Sequence, residues 1–297
     1  EGFNLTILHT NDIHSHFLQS DKRGGNCTEE KAKESQCYGG VSRIITKVRE
    51  IKKEKPNTLF FNGGDFYQGT VWYTVLKYNI VALAMENMMY DAVCLGNHEF
   101  DDGPEGLYPF LVRMEAANVT VLGTNLEAED EPALNNITVL KSKIYTFNGV
   151  KVGVMGVVTT ETLTIAKPGK IEILGEIESI RKEIENLKQQ DVKVFAVISH
   201  VGYEKDQEIA RGVEELHFIV GGHTNTFLYN GKYSPGGETP AGNYPTIVER
   251  SDKTIALVTQ DYWFGKYLGY LELQFNSEGK LMAWSGNPIL LDANVTE

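Results

Sequence analysis

Five short polar clusters in this sequence combine side chains that bind metal ions or move protons: Asn11-Asp12-Ile13-His14, Gly63-Gly64-Asp65, Gly96-Asn97-His98-Glu99-Phe100-Asp101, Ser199-His200 and Gly221-Gly222-His223-Thr224-Asn225. They offer carboxylate oxygens, imidazole nitrogens and amide oxygens but no thiolate, a mixture suited to zinc or manganese. Any one of them alone is a weak signal, since a lone Asp-x-His or Gly-Asp arises by chance and a lone histidine is more often structural. Together they hold enough ligands for two metal ions. Asp65 is the natural bridge, because a carboxylate between two cations about 3.5 to 4 Å apart relieves their repulsion and fixes their spacing. Glycines beside the ligands let loop backbone approach an ion without a Cβ clash.

Each cluster directly follows a strand-like apolar run, where open α/β sheets place their sites. Leu5 to His9 reads as the first strand. Val41, Ile44, Ile45, Val48 and Ile51 then recur at helical spacing, and Pro56 closes that helix. Thr58–Phe61, Ala92–Leu95 and Val119–Leu122 read as further strands, separated by helical patterns over Val71–Met89 and near Glu105–Ala117. The second half opens with an expected hairpin, Ile137–Phe147 and Lys151–Val157, joined by Asn148-Gly149, a pair suited to a turn needing positive φ. A helix carrying Ile177, Ile180, Ile184 and Leu187 leads to the strand Val194–Ile198, and another unit ends at Phe218–Val220. After the Gly/Pro-rich stretch Ser234–Pro245 the pattern is nearly all strand: Thr246–Glu249, Ile255–Gln260, Tyr267–Phe275 and Leu281–Trp284. The alternation is that of an α/β architecture, and with no repeat or linker residues 1–297 read as a single domain.

A formal charge of −12 argues against a nucleic-acid polymer or an anionic membrane as main partner, since both reward clustered Lys and Arg. An acidic protein that handles phosphate needs local cations. No apolar run is long enough for a transmembrane segment. A chain that opens on Glu1 reads as a mature or engineered start from which any leader has been removed. Cys27 and Cys37 flank a charged insertion and are expected to form a disulfide, whereas Cys94 sits in an apolar run and reads as core. Asn-x-Ser/Thr sequons at Asn4, Asn26, Asn118, Asn136 and Asn294 are glycosylation candidates, some of them chance matches. With the cysteine pair they point to an extracellular, secreted or cell-surface protein.

The longer strings Leu8-His9-Thr10-Asn11-Asp12-Ile13-His14-Ser15, Gly96 to Asp101, Gly221 to Thr226, Gly265-Lys266-Tyr267-Leu268-Gly269-Tyr270 and the closing Gly286-Asn287-Pro288-Ile289-Leu290-Leu291 resemble the 5'-nucleotidase/apyrase branch of the calcineurin-like metallophosphoesterases over essentially the whole chain. The resemblance implies a four-layer α/β/β/α sandwich of two mixed sheets flanked by helices, which periodicity alone does not reach. It implies that Asp12, His14 and Asp65, with Asn225 as a weaker partner, hold one divalent ion, and that Asp65, Asn97, His200 and His223 hold the other. The ions would be zinc first, with manganese, magnesium or calcium as alternatives. His98 and Asp101 match the family's catalytic pair, and Asn97 and His98 would also touch substrate.

The implied reaction is phosphate release from an extracellular nucleotide, AMP or ATP/ADP, by water acidified at the metal centre, with His98 oriented by Asp101 and donating to the developing charge. Family members recognise the nucleoside through a C-terminal nucleotide-binding domain, for which this sequence supplies no base-stacking pair; Trp72, Tyr73 and Phe66 near a ligand loop read as packing. Two other readings stay open: a phosphomonoesterase or diesterase of broader specificity, and a non-catalytic secreted binding protein on the same scaffold. Among the remaining histidines, His9 reads as core, His16 as solvent-facing, and His217 as a strand residue without a metal partner.

Overall fold

A computed structural model describes residues 1–297. Two six-stranded layers face each other. In the first the spatial order is Leu281–Gly286, Tyr267–Phe275, Phe3–Thr10, Thr58–Asn62, Ala92–Cys94 and Thr120–Leu122, with the short strand Ile289–Leu290 pairing against Tyr267–Phe275. The first strand pairs parallel with Thr58–Asn62, Leu8 opposite Phe60, and antiparallel with Tyr267–Phe275, Ile7 opposite Leu271, so the sheet is mixed. The second layer runs Thr246–Glu249, Ile255–Thr259, Leu216–Val220, Val192–His200, Val150–Val158 and Ser142–Phe147, and it too mixes parallel and antiparallel pairs.

Side-chain alternation sorts each strand between two cores. Phe3, Leu5 and Ile7 point into an inter-sheet core with Val152, Val154, Ala196 and Ile198. Leu8, Phe60 and Val93 point the other way, onto the helices Val41–Glu54, Tyr78–Asn87 and Gly103–Ala116. Met155, Val157, Phe195 and Val197 bury the outer face of the second sheet under Glu176–Lys188 and Tyr203–Gly212. The result is the expected four-layer arrangement of two mixed sheets flanked by helices.

Two elements differ from the sequence expectation. The helix expected over Val71–Met89 is two helices, Val71–Leu76 and Tyr78–Asn87, broken at Lys77 with φ +52°. The Lys77 ammonium bonds Asp102 at 3.2 Å and stands 5.1 Å from the Tyr73 ring, tertiary contacts that a periodicity scan cannot see. The first hairpin strand begins at Ser142 rather than Ile137. Leu140 is drawn instead to the free edge of the first sheet, where it bridges Leu122 and exchanges backbone bonds with Val121 and Gly123. The hairpin turn is as expected, with Asn148 and Gly149 both at positive φ.

Cys27 and Cys37 are bonded and Cys94 is buried. All five sequon asparagines are exposed. No helix is long and apolar enough to cross a membrane.

Candidate metal centre

The five clusters converge because the strands before them are parallel within each sheet and end at one edge of the molecule. Phe3–Thr10, Thr58–Asn62 and Ala92–Cys94 deliver Asp12, Asp65 and Asn97 from the first sheet, while Val192–His200 and Leu216–Val220 deliver His200 and His223 from the second. The loops are tightly wound. Asp12, His14, Asp65, His223 and Asn225 all have positive φ, between 47° and 79°. A non-glycine residue held there costs roughly 1 to 3 kcal/mol and persists only where its surroundings over-determine it. Close approach matters as well: a Cβ on Gly96 would fall 2.2 Å from Asp65 Oδ1.

Ligand atoms of Asp12, His14 and Asp65 lie within 4.8 Å of one another, as do those of Asp65, His200 and His223, so Asp65 belongs to both groups. Its Oδ2 is the shared atom, 3.0 Å from His200 Nε2 and 3.6 Å from His14 Nε2. The tautomers suit ligation. His200 Nδ1 faces the carbonyl of Gly63 at 2.6 Å and His14 Nδ1 faces that of Tyr67 at 3.3 Å. A carbonyl only accepts, so each Nδ1 carries the hydrogen and leaves the Nε2 lone pair turned to the carboxylates. Asn97 Oδ1 lies 3.2 Å from the same His200 Nε2.

The polar atoms without partners test whether cations fit here. Asp12 Oδ2 accepts from the Asn11 amide at 2.7 Å and from the His223 backbone N–H at 2.9 Å, while its Oδ1 is buried with no hydrogen-bond partner. Asn225 Oδ1 is buried and unpartnered too. Orphaned acceptor oxygens beside converging imidazole lone pairs are the signature of a cation site. Charge agrees. Burial would lower His14 and His200, but hydrogen bonds and the charges of Asp12 and Asp65 raise them to about 9 and about 10, so the carboxylates draw a proton onto each Nε2, the positive charge that a bound cation would replace. Burial opposes ionisation of Asp65, yet the imidazoles of His200 and His14 keep its carboxyl well below the usual range.

Beside the cluster, His98 Nδ1 bonds Asp101 Oδ2 at 2.7 Å, and this bond raises the His98 pKa above its ordinary value. The His98 ring stands edge-on to His14 with centroids 5.3 Å apart, and its backbone N–H donates to Asp65 Oδ1 at 3.0 Å. The expected pair is thus tied to the expected bridge.

Sequence reasoning gave no role to Glu99, which sits inside the richest cluster. Its carboxylate is fully buried and accepts four backbone N–H groups, from Asp65, Phe66 and Tyr67 at 2.8 Å and from Gly96 at 2.5 Å. It locks two ligand loops together. Burial and the Asp65 charge push its pKa up to about 7 against those bonds. Asp206 was also missed: its side chain is buried, accepts from Ser199 Oγ at 2.6 Å, and would meet a Cβ on Gly221 at 2.3 Å. For Glu99 the available signal was a carboxylate inside a buried run, and for Asp206 it was spacing three and four residues before Ile209 and Ala210 on the buried face of the polar helix Tyr203–Gly212.

The other histidines stay outside the cluster. His9 is buried and bonds the Tyr244 hydroxyl at 2.5 Å. His217 accepts from the Phe195 N–H at 3.2 Å. His16, expected in solvent, is instead stacked on Phe264 at 3.7 Å, with Nδ1 at the His14 carbonyl and Nε2 at that of Gly24, because the loop folds back over it. Phe66 and Tyr73 are packing as expected, whereas Trp72 remains 42 % exposed.

Comparison with known proteins places the whole chain beside a family of phosphoesterases. The calcineurin-like phosphoesterase family model matches residues 5–227. The sequence is 42% identical over 299 aligned residues to mouse 5'-nucleotidase, covering 100% of this chain and 50% of that one. It is 42% identical to the snake venom 5'-nucleotidase of Gloydius brevicauda, covering 100% and 49%. Among solved structures, the 5'-nucleotidase precursor of Thermus thermophilus superposes with a TM-score of 0.86 at 32% identity, covering 99% of this chain and 55% of the other. The chain therefore spans about half the length of the curated relatives it matches.

Proposed function

The chain belongs to the calcineurin-like phosphoesterase family, and from that premise we propose that residues 1–297 form one catalytic domain that hydrolyses phosphate esters of extracellular nucleotides at a two-metal centre. The observation that carries this reading is Asp65, whose Oδ2 belongs to two separate groups of metal-capable side chains with His98 and Asp101 beside them.

Asp12, His14, Asp65 and Asn225 would hold one divalent ion, and Asp65, Asn97, His200 and His223 the other. Nitrogen and oxygen donors without thiolate suit zinc or manganese. When bound, such ions supply Lewis acidity, lowering the pKa of water and neutralising phosphate oxygens. The chain's own part is orientation and proton supply. Asp101 fixes the His98 ring through Nδ1 and favours its charged form, so Nε2–H is available to the phosphoryl group or the leaving oxygen. Asn97 and His98, adjacent on one loop, would touch the substrate together.

Nucleotides are favoured over other esters by the identity to 5'-nucleotidases along the full chain. Since those relatives are about twice as long, we assign nucleoside recognition to a further C-terminal domain of the full-length protein. The Cys27–Cys37 disulfide, five exposed sequons and similarity to a venom enzyme support a secreted or cell-surface glycoprotein.

The test is phosphate release by the 1–297 chain loaded with zinc or manganese, from AMP, ADP, ATP and an aryl phosphate in parallel, with His98→Ala alongside. Metal-dependent turnover is expected, and His98→Ala should lower it by about 10² to 10⁴-fold while metal content stays at two ions. No turnover in a fully loaded sample would overturn the enzymatic reading in favour of a binding protein, and a fully active His98→Ala would remove the role given to His98.

A further inference from the structure

The loop that carries His223 and Asn225 is strained and nearly free of regular structure. Both residues are in the left-handed region, with φ of 79° and 50°. What braces it comes from outside the five clusters. Gln260 follows the strand Ile255–Thr259, which pairs with Leu216–Val220 so that Thr259 lies opposite Val220. Its side chain therefore emerges beside the neck of the loop, and it is completely buried.

The carboxamide spends both its ends on that neck. Nε2 donates to the Gly222 carbonyl at 3.1 Å where the chain enters the loop, and Oε1 accepts from the Thr226 N–H at 2.5 Å where it leaves. The Thr224 hydroxyl lies 3.4 Å from Oε1. Immediately beyond, Tyr262 N–H donates to the Thr226 carbonyl at 3.0 Å, and the Asn11 amide donates to the Tyr262 carbonyl at 2.8 Å. The brace is thus continuous with the residue beside Asp12. An amide is the side chain this neck requires, since one end of the gap presents an acceptor and the other a donor. A carboxylate would set oxygen against the Gly222 carbonyl, and an apolar chain would leave the buried Gly222 carbonyl and the half-buried Thr226 N–H without these partners.

We propose that Gln260 is a positioning residue: its carboxamide closes the neck of the Gly222–Thr226 loop and holds His223 and Asn225 ready to ligate before any ion arrives. The inference rests on the two-metal reading of the site.

The test starts from the metal-free chain and compares the wild type with Gln260→Met, which keeps the volume and removes both bonds, and Gln260→Glu, which keeps only the acceptor. Amide hydrogen exchange should rise about fivefold to tenfold at Thr226 in Gln260→Met, the equivalent of one net hydrogen bond, while exchange at Asp65 and Phe66 stays at the wild-type rate. Titration with Mn²⁺ should then show the ion assigned to His223 bound about 10 to 100-fold more weakly and the ion to which Asn225 is the weaker partner affected less, with kcat falling more than KM rises. Gln260→Glu should retain protection at Thr226 yet still weaken that ion, and it decides the matter if Gln260→Met does not fold. Wild-type exchange and wild-type affinity for both ions in the variants would overturn the proposal. So would equal weakening of both ions together with a fall in global stability, which would mark a merely structural role. A wild-type chain that binds fewer than two Mn²⁺ sinks the two-metal reading instead, whatever the variants do.

Discussion

The two halves of the site are braced by different chemistry. The half built from the first sheet carries the carboxylates of Asp12 and Asp65, and its 65–67 turn points three successive N–H groups inward, onto a single anion, Glu99. The half built from the second sheet carries the imidazoles of His200 and His223, and its loop neck presents one carbonyl and one N–H to a neutral amide, Gln260. Each brace matches what the backbone leaves unpaired, which is the general requirement for buried polar groups. The anionic brace is the more costly. Glu99 sits near Asp65 with both fully buried, and its pKa climbs to about 7 because that burial and that charge resist its ionisation. The first half therefore depends more on cations, and the second more on hydrogen-bond geometry.

Removing Asp65, which stands in the first half but belongs to both ligand groups, should abolish the difference between the halves. Asp65→Ala is expected to lose both ions and reduce turnover to background, as measured by metal content and phosphate release; retention of one tightly bound ion would mean that the halves are independent and that Asp65 is not the bridge. Replacing one brace should separate the halves. Glu99→Gln turns an N–H₂ group toward backbone donors that need an acceptor, so it should weaken metal binding by about 10 to 100-fold and lower the unfolding free energy by about 1 to 3 kcal/mol in calorimetry. A loss no larger than that of Gln260→Glu would erase the contrast drawn between the braces.

The smallest effect concerns the core beneath both halves. His9 is fully buried, and burial lowers its pKa from 6.5 to about 3. The unfolded chain takes up a proton near pH 6.5 that the folded chain refuses, so the stability contributed by neutral His9 is complete above pH 6.5 and is lost progressively toward pH 3. His9→Phe should therefore make stability fall less steeply between pH 6 and 4, by about 1.4 kcal/mol per pH unit for the one proton removed from the linkage. An unchanged slope in denaturant titrations would show that His9 is protonated in the folded state.

Much of this was legible in one dimension. Strand runs ending in Asp12, Asp65, Asn97, His200 and His223 announce themselves by apolar periodicity followed by ligand-type residues and glycine. The Asn148-Gly149 turn and the Cys27–Cys37 pair are equally local signals. The break at Lys77 and the departure of Leu140 to the first sheet were not legible, because each is decided by a partner distant in sequence.

The amino-acid order by itself determined the alternation of strands and helices and the residue types offered to a metal, since these depend on near neighbours along the chain, while the pairing of His98 with Asp101 came from the resemblance of the longer strings to a family. Only the tertiary structure decided that Asp65 Oδ2 serves two groups, that Asp12 and Asn225 keep an unpartnered oxygen, and that Glu99 and Gln260 are spent on backbone. The reason is physical: a hydrogen bond or a ligand bond is set by distances of about 3 Å, and folding brings to that distance residues as far apart as Gly63 and His200.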